Sequence, residues 1–169
     1  MLDGPDVVCR AAERLSASAV VGFDTETRPS FRKGVRHPVS LLQLALPDEV
    51  YLLRLNQHGL PEEIAAVLLD ADIRKVGIGT RDDVRELERD FGCRARNVVS
   101  MDRLFRQQGY QVSSLRKLAA LITGRRISKR QQTSNWAAKE LSAAQKSYAA
   151  ADAWLCLELW QHLQKTTST

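Results

Sequence analysis

Apolar positions recur along this chain in two rhythms. Short β-prone runs at Ala19–Phe23, Ser40–Ala45 and Val50–Leu53, bounded by turn residues, predict strands. The basic loop RPSFRKGVRHP parts the first run from the second and the turn PDE parts the second from the third, an order that predicts an antiparallel meander. A helical rhythm follows from about Glu62 to Leu69 and again from Arg81 to Phe91, where Gly92 stops it. KVGIG and Asn97–Met101 read as further short strands. Helices are then expected from near Arg103, with Asp102 as its cap, and from Ser113 or Ser114 to Leu121, ended by Gly124. GRRISKRQQTSNW carries no rhythm and reads as an irregular basic loop. Ser142 and Gln145 form a capping box for a last helix reaching about Gln164, with KTTST frayed beyond it. Strands and helices alternating in this way predict one sheet domain of the α/β or α+β class.

Against these rhythms a few acids stand out of place. Asp24 and Glu26 interrupt the end of the first apolar run, and a strand continuing through them puts both on one face, with Thr25 on the other. Two like charges so close raise each other's pKa or require a cation. The last helix has a core stripe of Leu141, Tyr148, Leu155, Leu159 and Leu163, and Asp152 falls on it, one turn after Tyr148. In the helix after KVGIG, Val84, Leu87 and Phe91 mark the apolar face. At ~100° per residue Asp83 lies about 75° from the centre of that face and Asp82 nearly opposite it. Asp83 can therefore face the protein, whereas Asp82 suits a solvated first turn. Gly77 and Gly79 begin a GxGxxG pattern, but Asp82 stands at its last position, so a dinucleotide fingerprint is not met.

Composition adds the location of charge. The chain has 169 residues, 44% hydrophobic and 27% charged, with a net charge of +5, which suits a single domain covering residues 1–169. Between Arg103 and Lys139 there are nine lysines or arginines and no acid, which leaves 16 basic against 20 acidic residues elsewhere. The same segment is rich in Gln, Ser and Asn and contains Trp136, so nucleic acid is its expected partner. Cys9, Cys93 and Cys156 form no CxxC pair and are expected as buried thiols. His37, His58 and His162 show no ligand spacing. No apolar run reaches the length of a bilayer span and the N-terminus lacks the order of a secretory signal, so a soluble cytoplasmic protein is expected, with no membrane partner.

Asp24, Glu26, Asp83 and Asp152, drawn from one strand and two helices, would converge if all face one site. Hard oxygen ligands without a His or Cys cluster select two Mg²⁺ or Mn²⁺ ions rather than Zn²⁺. Such a pair, about 3.5–4 Å apart, can bind the attacking water and the leaving oxygen of a phosphodiester. With a basic surface alongside, that chemistry is a nuclease.

FDTET, GIGTRDDVREL and YAAAD occur in the order and at the intervals of three motifs of the DEDD superfamily of 3′–5′ exonucleases, which the chain resembles from Phe23 to Asp152. Tyr148 stands four residues before Asp152 and position 147 is Ser, so the sequence looks like the DEDDy branch, near ribonuclease D and the exonuclease domain of the Werner syndrome helicase. LLQLAL, SLRKLAALITG and SNW are further likenesses. The resemblance implies a ribonuclease H-like fold, a mixed sheet of antiparallel meander and parallel strands flanked by helices. It also implies that Asp24, Glu26 and Asp152 bind metal directly, Asp24 bridging both ions, and that Asp83 supports the second ion directly or through water. Tyr148 would orient or help deprotonate the attacking water, and nucleoside 5′-monophosphates would leave from the 3′ end. No length is left for a helicase module or for the extra helical domain of ribonuclease D, so DNA and RNA both stay open as substrates.

Basic residues outside the motifs supply the expected nucleic-acid contacts. Arg32, Lys33 and Arg36 follow the first motif; Arg125, Arg126, Lys129, Arg130, Ser134 and Asn135 occupy the later loop. Trp136 is either a base platform or, preferably, a core anchor. The alternative to an exonuclease is a catalytically weak or inactive nucleic-acid-binding module of the same fold. A P-loop phosphatase is set aside because no GxxxxGK[ST] stretch occurs.

Overall fold

The computed structural model describes residues 1–2, 4–112 and 114–167. Five strands form one sheet: β1 Val20–Thr27, β2 Val39–Ala45, β3 Val50–Leu53, β4 Arg74–Gly77 and β5 Val98–Ser100, in the order β3-β2-β1-β4-β5. β1–β2 and β2–β3 pair antiparallel, while β1–β4 and β4–β5 pair parallel, so the sheet is mixed as expected. The meander is closed by the short PDE turn. The parallel pairs require longer crossovers, which the intervening helices provide.

Seven helices accompany the strands among the described residues: α1 Pro5–Ser16, α2 Leu55–His58, α3 Glu62–Leu69, α4 Arg81–Phe91, α5 Met101–Gln107, α6 Leu115–Thr123 and α7 Ala143–Thr167. α4 ends at Gly92, whose φ of 65° is the left-handed conformation that closes a helix with least strain in glycine. The capping box of α7 forms: the Ser142 backbone N–H donates to Gln145 Oε1 at 3.0 Å, and the Gln145 N–H donates to Ser142 Oγ at 3.2 Å.

Four expectations change. α1 is an element the strand and helix rhythms do not announce; Pro5 starts it, and Val8, Ala11, Ala12 and Leu15 bury one face against α3. Asp102 is not the cap of α5 but lies in its first turn, where it accepts from the Ser100 hydroxyl and, at 3.3 Å, from the Gly79 N–H. Cys9 is exposed, unlike buried Cys93 and Cys156. α7 continues through the first residues of KTTST to Thr167; Ser168 and Thr169, like Ser113 as a helix start, lie outside the described residues.

The sheet divides its side chains between two cores. Val21 and Phe23 of β1 and Leu42 and Leu44 of β2 pack with Leu15, Ile64 and Leu68 from α1 and α3. Each such buried Leu or Phe contributes about 1.5–3 kcal/mol. The alternate residues Gly22, Asp24 and Glu26 face α7. A Cβ at Gly22 would overlap the Ala153 carbonyl oxygen, so glycine lets the backbone of α7 lie directly on β1. Trp136 is fully buried beside Leu41, Leu52, Leu141 and Ala149 on that same side. No helix among the described residues is long and apolar enough to cross a membrane.

Candidate active site

The period of two in β1 and the stripe of α7 bring three acids together. Asp24, Glu26 and Asp152 each offer a carboxylate oxygen, and the three oxygens lie within 4.8 Å of one another. Asp152 is only 6% exposed, because it occupies a core position of α7. None of the ion pairs among the described residues involves these acids or Asp83.

Crowding and burial move every titration in the cluster upward. Asp24 is raised well above the usual carboxylate range by burial and then by the charges of Asp83, Glu26 and Asp152. Burial followed by the charges of Asp152 and Asp83 pushes Glu26 up to about 9. Asp152 rises to about 6 through burial, partly opposed by a hydrogen bond from the Tyr148 hydroxyl. Tyr148 itself is raised by burial and then by the charges of Asp152 and Glu26, which keeps it a phenol and a donor. An all-oxygen set that repels itself in partly buried space fits hard divalent cations. Cys156, one turn after Asp152, is also buried at the cleft, and burial holds its thiol in the neutral form.

Asp83 stands outside the three-oxygen cluster. The Thr25 hydroxyl donates to its Oδ1, an anchor that the assignment of Thr25 to the opposite face of β1 did not suggest. Burial raises Asp83 to about 6, against that hydrogen bond, and its charge still reaches Asp24 and Glu26. Asp82 is exposed and pairs with Arg85 at 2.8 Å, in keeping with its solvated position.

The base-platform reading of Trp136 is corrected, because a fully buried ring has no face to offer a nucleotide. Its ring centroid lies 6.0 Å from that of Tyr148, so it packs behind the tyrosine and fixes it. Ser134 and the Asn135 backbone brace the loop, with Gln145 Nε2 donating to Ser134 Oγ at 3.0 Å and to the Asn135 carbonyl at 3.3 Å, while Asn135 itself stays exposed. Arg125 stacks its guanidinium over Trp154 at 4.6 Å, which fastens the start of the same loop to α7.

A cleft of about 510 Å³ opens over the acids. Lys129 lines its far wall, together with Arg116 and Lys117 of α6. Those two residues were legible as cations of SLRKLA, yet only the placement of α6 gives them a direction. Arg126 and Arg130 are exposed on the loop but do not line the cleft, and neither do exposed Arg32, Lys33 and Arg36. Phe31, beside Arg32, is 86% exposed.

Comparison with known proteins places this geometry. The sequence profile of a 3′–5′ exonuclease family matches residues 2–168. The chain is 31% identical over 156 residues to the mouse bifunctional 3′–5′ exonuclease/ATP-dependent helicase WRN, an alignment covering 89% of this chain and 11% of that protein. Its fold is similar to that of Escherichia coli RNase D, an exoribonuclease involved in structured RNA processing, with a TM-score of 0.87 at 23% identity over 99% of this chain and 44% of that one. It is also similar to Trypanosoma brucei RNase D in complex with RNA U12, with a TM-score of 0.82 at 19% identity over 96% of this chain and 61% of that one. The chain spans between 11% and 54% of the length of the first three curated relatives it matches.

Proposed function

The chain belongs to the 3′–5′ exonuclease family, and on that premise we propose that it hydrolyses phosphodiester bonds from the 3′ end of DNA or RNA and releases nucleoside 5′-monophosphates. The observation that carries this reading is the trio of carboxylate oxygens within 4.8 Å, with no cation of the protein paired to them among the described residues. Two Mg²⁺ or Mn²⁺ ions held by Asp24, Glu26 and Asp152, with Asp83 supporting the second, would supply Lewis-acid stabilisation of the attacking and leaving oxygens.

The remaining work falls to the chain itself. Tyr148, a phenol kept protonated by its surroundings, orients the attacking water through its hydroxyl rather than removing the proton. Trp136 behind it and the Asp152 carboxylate beside it limit how far that hydroxyl can move. Lys129, Arg116 and Lys117 meet phosphates across the cleft, while Arg126, Arg130, Arg32, Lys33 and Arg36 attract the strand from the exposed loops. RNA is to be tested beside DNA, because the trypanosomal RNase D of like fold was solved with RNA.

Matched 5′-labelled DNA and RNA oligonucleotides, incubated with Mg²⁺ or Mn²⁺, are expected to shorten from the 3′ end. Asp24→Ala is expected to slow this by about 10³-fold or more while the protein stays folded. Shortening that persists in EDTA overturns the reading. Tight, salt-sensitive binding with no turnover under any divalent ion would instead identify an inactive binding module.

A further inference from the structure

The sheet face beneath α7 holds one polar side chain that the chemistry above leaves without a task. Gln43 of β2 stands directly opposite Asp24 of β1 in the antiparallel ladder, and opposite Leu52 of β3 on its other side. Residues directly opposite one another point to the same face with Cβ atoms about 4.5–5.5 Å apart, so the amide and the carboxylate project side by side. Gln43 is 0% exposed, and neither its Nε2 nor its Oε1 finds a hydrogen-bond partner among the described residues. A buried amide unmet at both ends is rare, because it has given up water at each end without replacement.

Among its neighbours on the sheet itself, one is polar. Leu41 and Ala45 share its face two residues away on β2, and Leu52 adjoins it on β3; all three are apolar. Asp24 occupies the fourth side. Among the hydrogen bonds to the carboxylate is one from the Thr25 backbone N–H; the charges around it, Asp83, Glu26 and Asp152, are acids, while the Tyr148 hydroxyl is committed to Asp152. An ion-bound carboxylate keeps lone pairs for a donor on the side away from the ions.

We infer that Gln43 is a positioning residue for Asp24: its amide N–H holds the Asp24 carboxylate in the orientation that binds divalent ions. This rests on the reading of Asp24, Glu26 and Asp152 as an ion site. It assigns LLQLAL a task beyond filling the sheet, and it places the support of Asp24 on the strand beside it rather than on the helices.

Titration of the whole chain with Mn²⁺, followed by calorimetry, separates the two ideas. If the wild-type protein takes up no Mn²⁺, the ion-site reading and this inference fall together. Given wild-type binding, Gln43→Met, similar in length and without a donor, is expected to bind Mn²⁺ about 10-fold more weakly. Its metal-free melting temperature is expected to stay level or rise, because the buried Gln43 carbonyl oxygen, which a bond from the amide N–H to Asp24 leaves unmet, is gone. Equal Mn²⁺ affinity in both proteins overturns the role of Gln43 alone and leaves the site standing. Should Gln43→Met fail to fold, the wild type still decides: the Gln43 side-chain amide protons shift on Mg²⁺ addition if they donate to Asp24, and stay fixed if they do not.

Discussion

The two faces of the sheet treat buried charge in opposite ways. On the face packed against α1 and α3, Lys75 of β4 is 0% exposed, and its Nζ donates to the carbonyls of Asp70 at 2.7 Å, Ile73 at 2.9 Å and Val67 at 3.3 Å. Three donors meet three acceptors, drawn from the carbonyl-rich end of α3 and the turn after it. On the face beneath α7, carboxylates crowd one another with hardly a donor among them. A buried charge that serves the fold is completed by the fold. A buried charge left incomplete, at a cost the fold must bear, marks a place where a ligand supplies what is missing.

That contrast can be broken from either side. Lys75→Ala is expected to cost about 3 kcal/mol in urea unfolding, since it opens a cavity and strands three carbonyls. Lys75→Met, which refills the space, is expected to recover part of that loss. In both variants, nuclease rate per folded molecule is expected to stay within about twofold of wild type, because the lysine lies on the far face; a larger fall would mean that the two faces are coupled. Tyr148→Phe works on the other face, removing the hydroxyl that bonds Asp152. It is expected to lower kcat by about 10–100-fold with little change in KM, as measured by initial rates on oligonucleotides. An unchanged kcat would reduce the tyrosine to packing.

The smallest effect is the one that shows the two signs together. In EDTA, Asp83 and Asp152 at about 6 and Glu26 at about 9 hold protons that the unfolded chain releases near its ordinary carboxylate values. The stability they contribute is fully present below about pH 4 and is lost as pH rises through 6 towards 9. Lys75, lowered to about 8 by burial, has the reverse sign. The unfolded chain keeps that proton after the folded one has lost it, so this lysine adds stability with rising pH above about 8 and up to its ordinary value near 10.4. Metal-free unfolding free energy is expected to fall between pH 5 and 8, and Mg²⁺ is expected to remove most of that fall. A flat profile in EDTA would show that the acids do not repel one another as their placement requires.

How much of this was legible in the sequence depended on how each residue departs from its surroundings. Val50–Leu53, Glu62–Leu69 and Arg81–Phe91 agree residue for residue with the rhythm of large apolar side chains. Pro5–Ser16 escaped because two of its four buried residues are alanines, which remove little area from water and leave a faint rhythm. Asp152 was legible because an acid on a leucine stripe contradicts its own helix. Lys75 was not, because a lysine at the head of KVGIG looks like an ordinary solvated flank. Gln43 hid for a related reason: one amide inside LLQLAL is unremarkable until burial and the lack of a partner are both known. The loop cations were legible in number but not in direction, and Arg125 shows why, since its partner Trp154 comes from a helix that begins 18 residues later.

Gly22 links the geometry of the site to something simpler than side-chain fit. Because a Cβ at that position would overlap the Ala153 carbonyl, the gauge of the gap between β1 and α7 is set by the omission of a single carbon. Asp24 sits two residues beyond it on the strand, and Asp152 adjoins Ala153 on the helix. The span across which these two acids face each other is therefore machined into the main chain, and a shim one methyl thick is enough to change it.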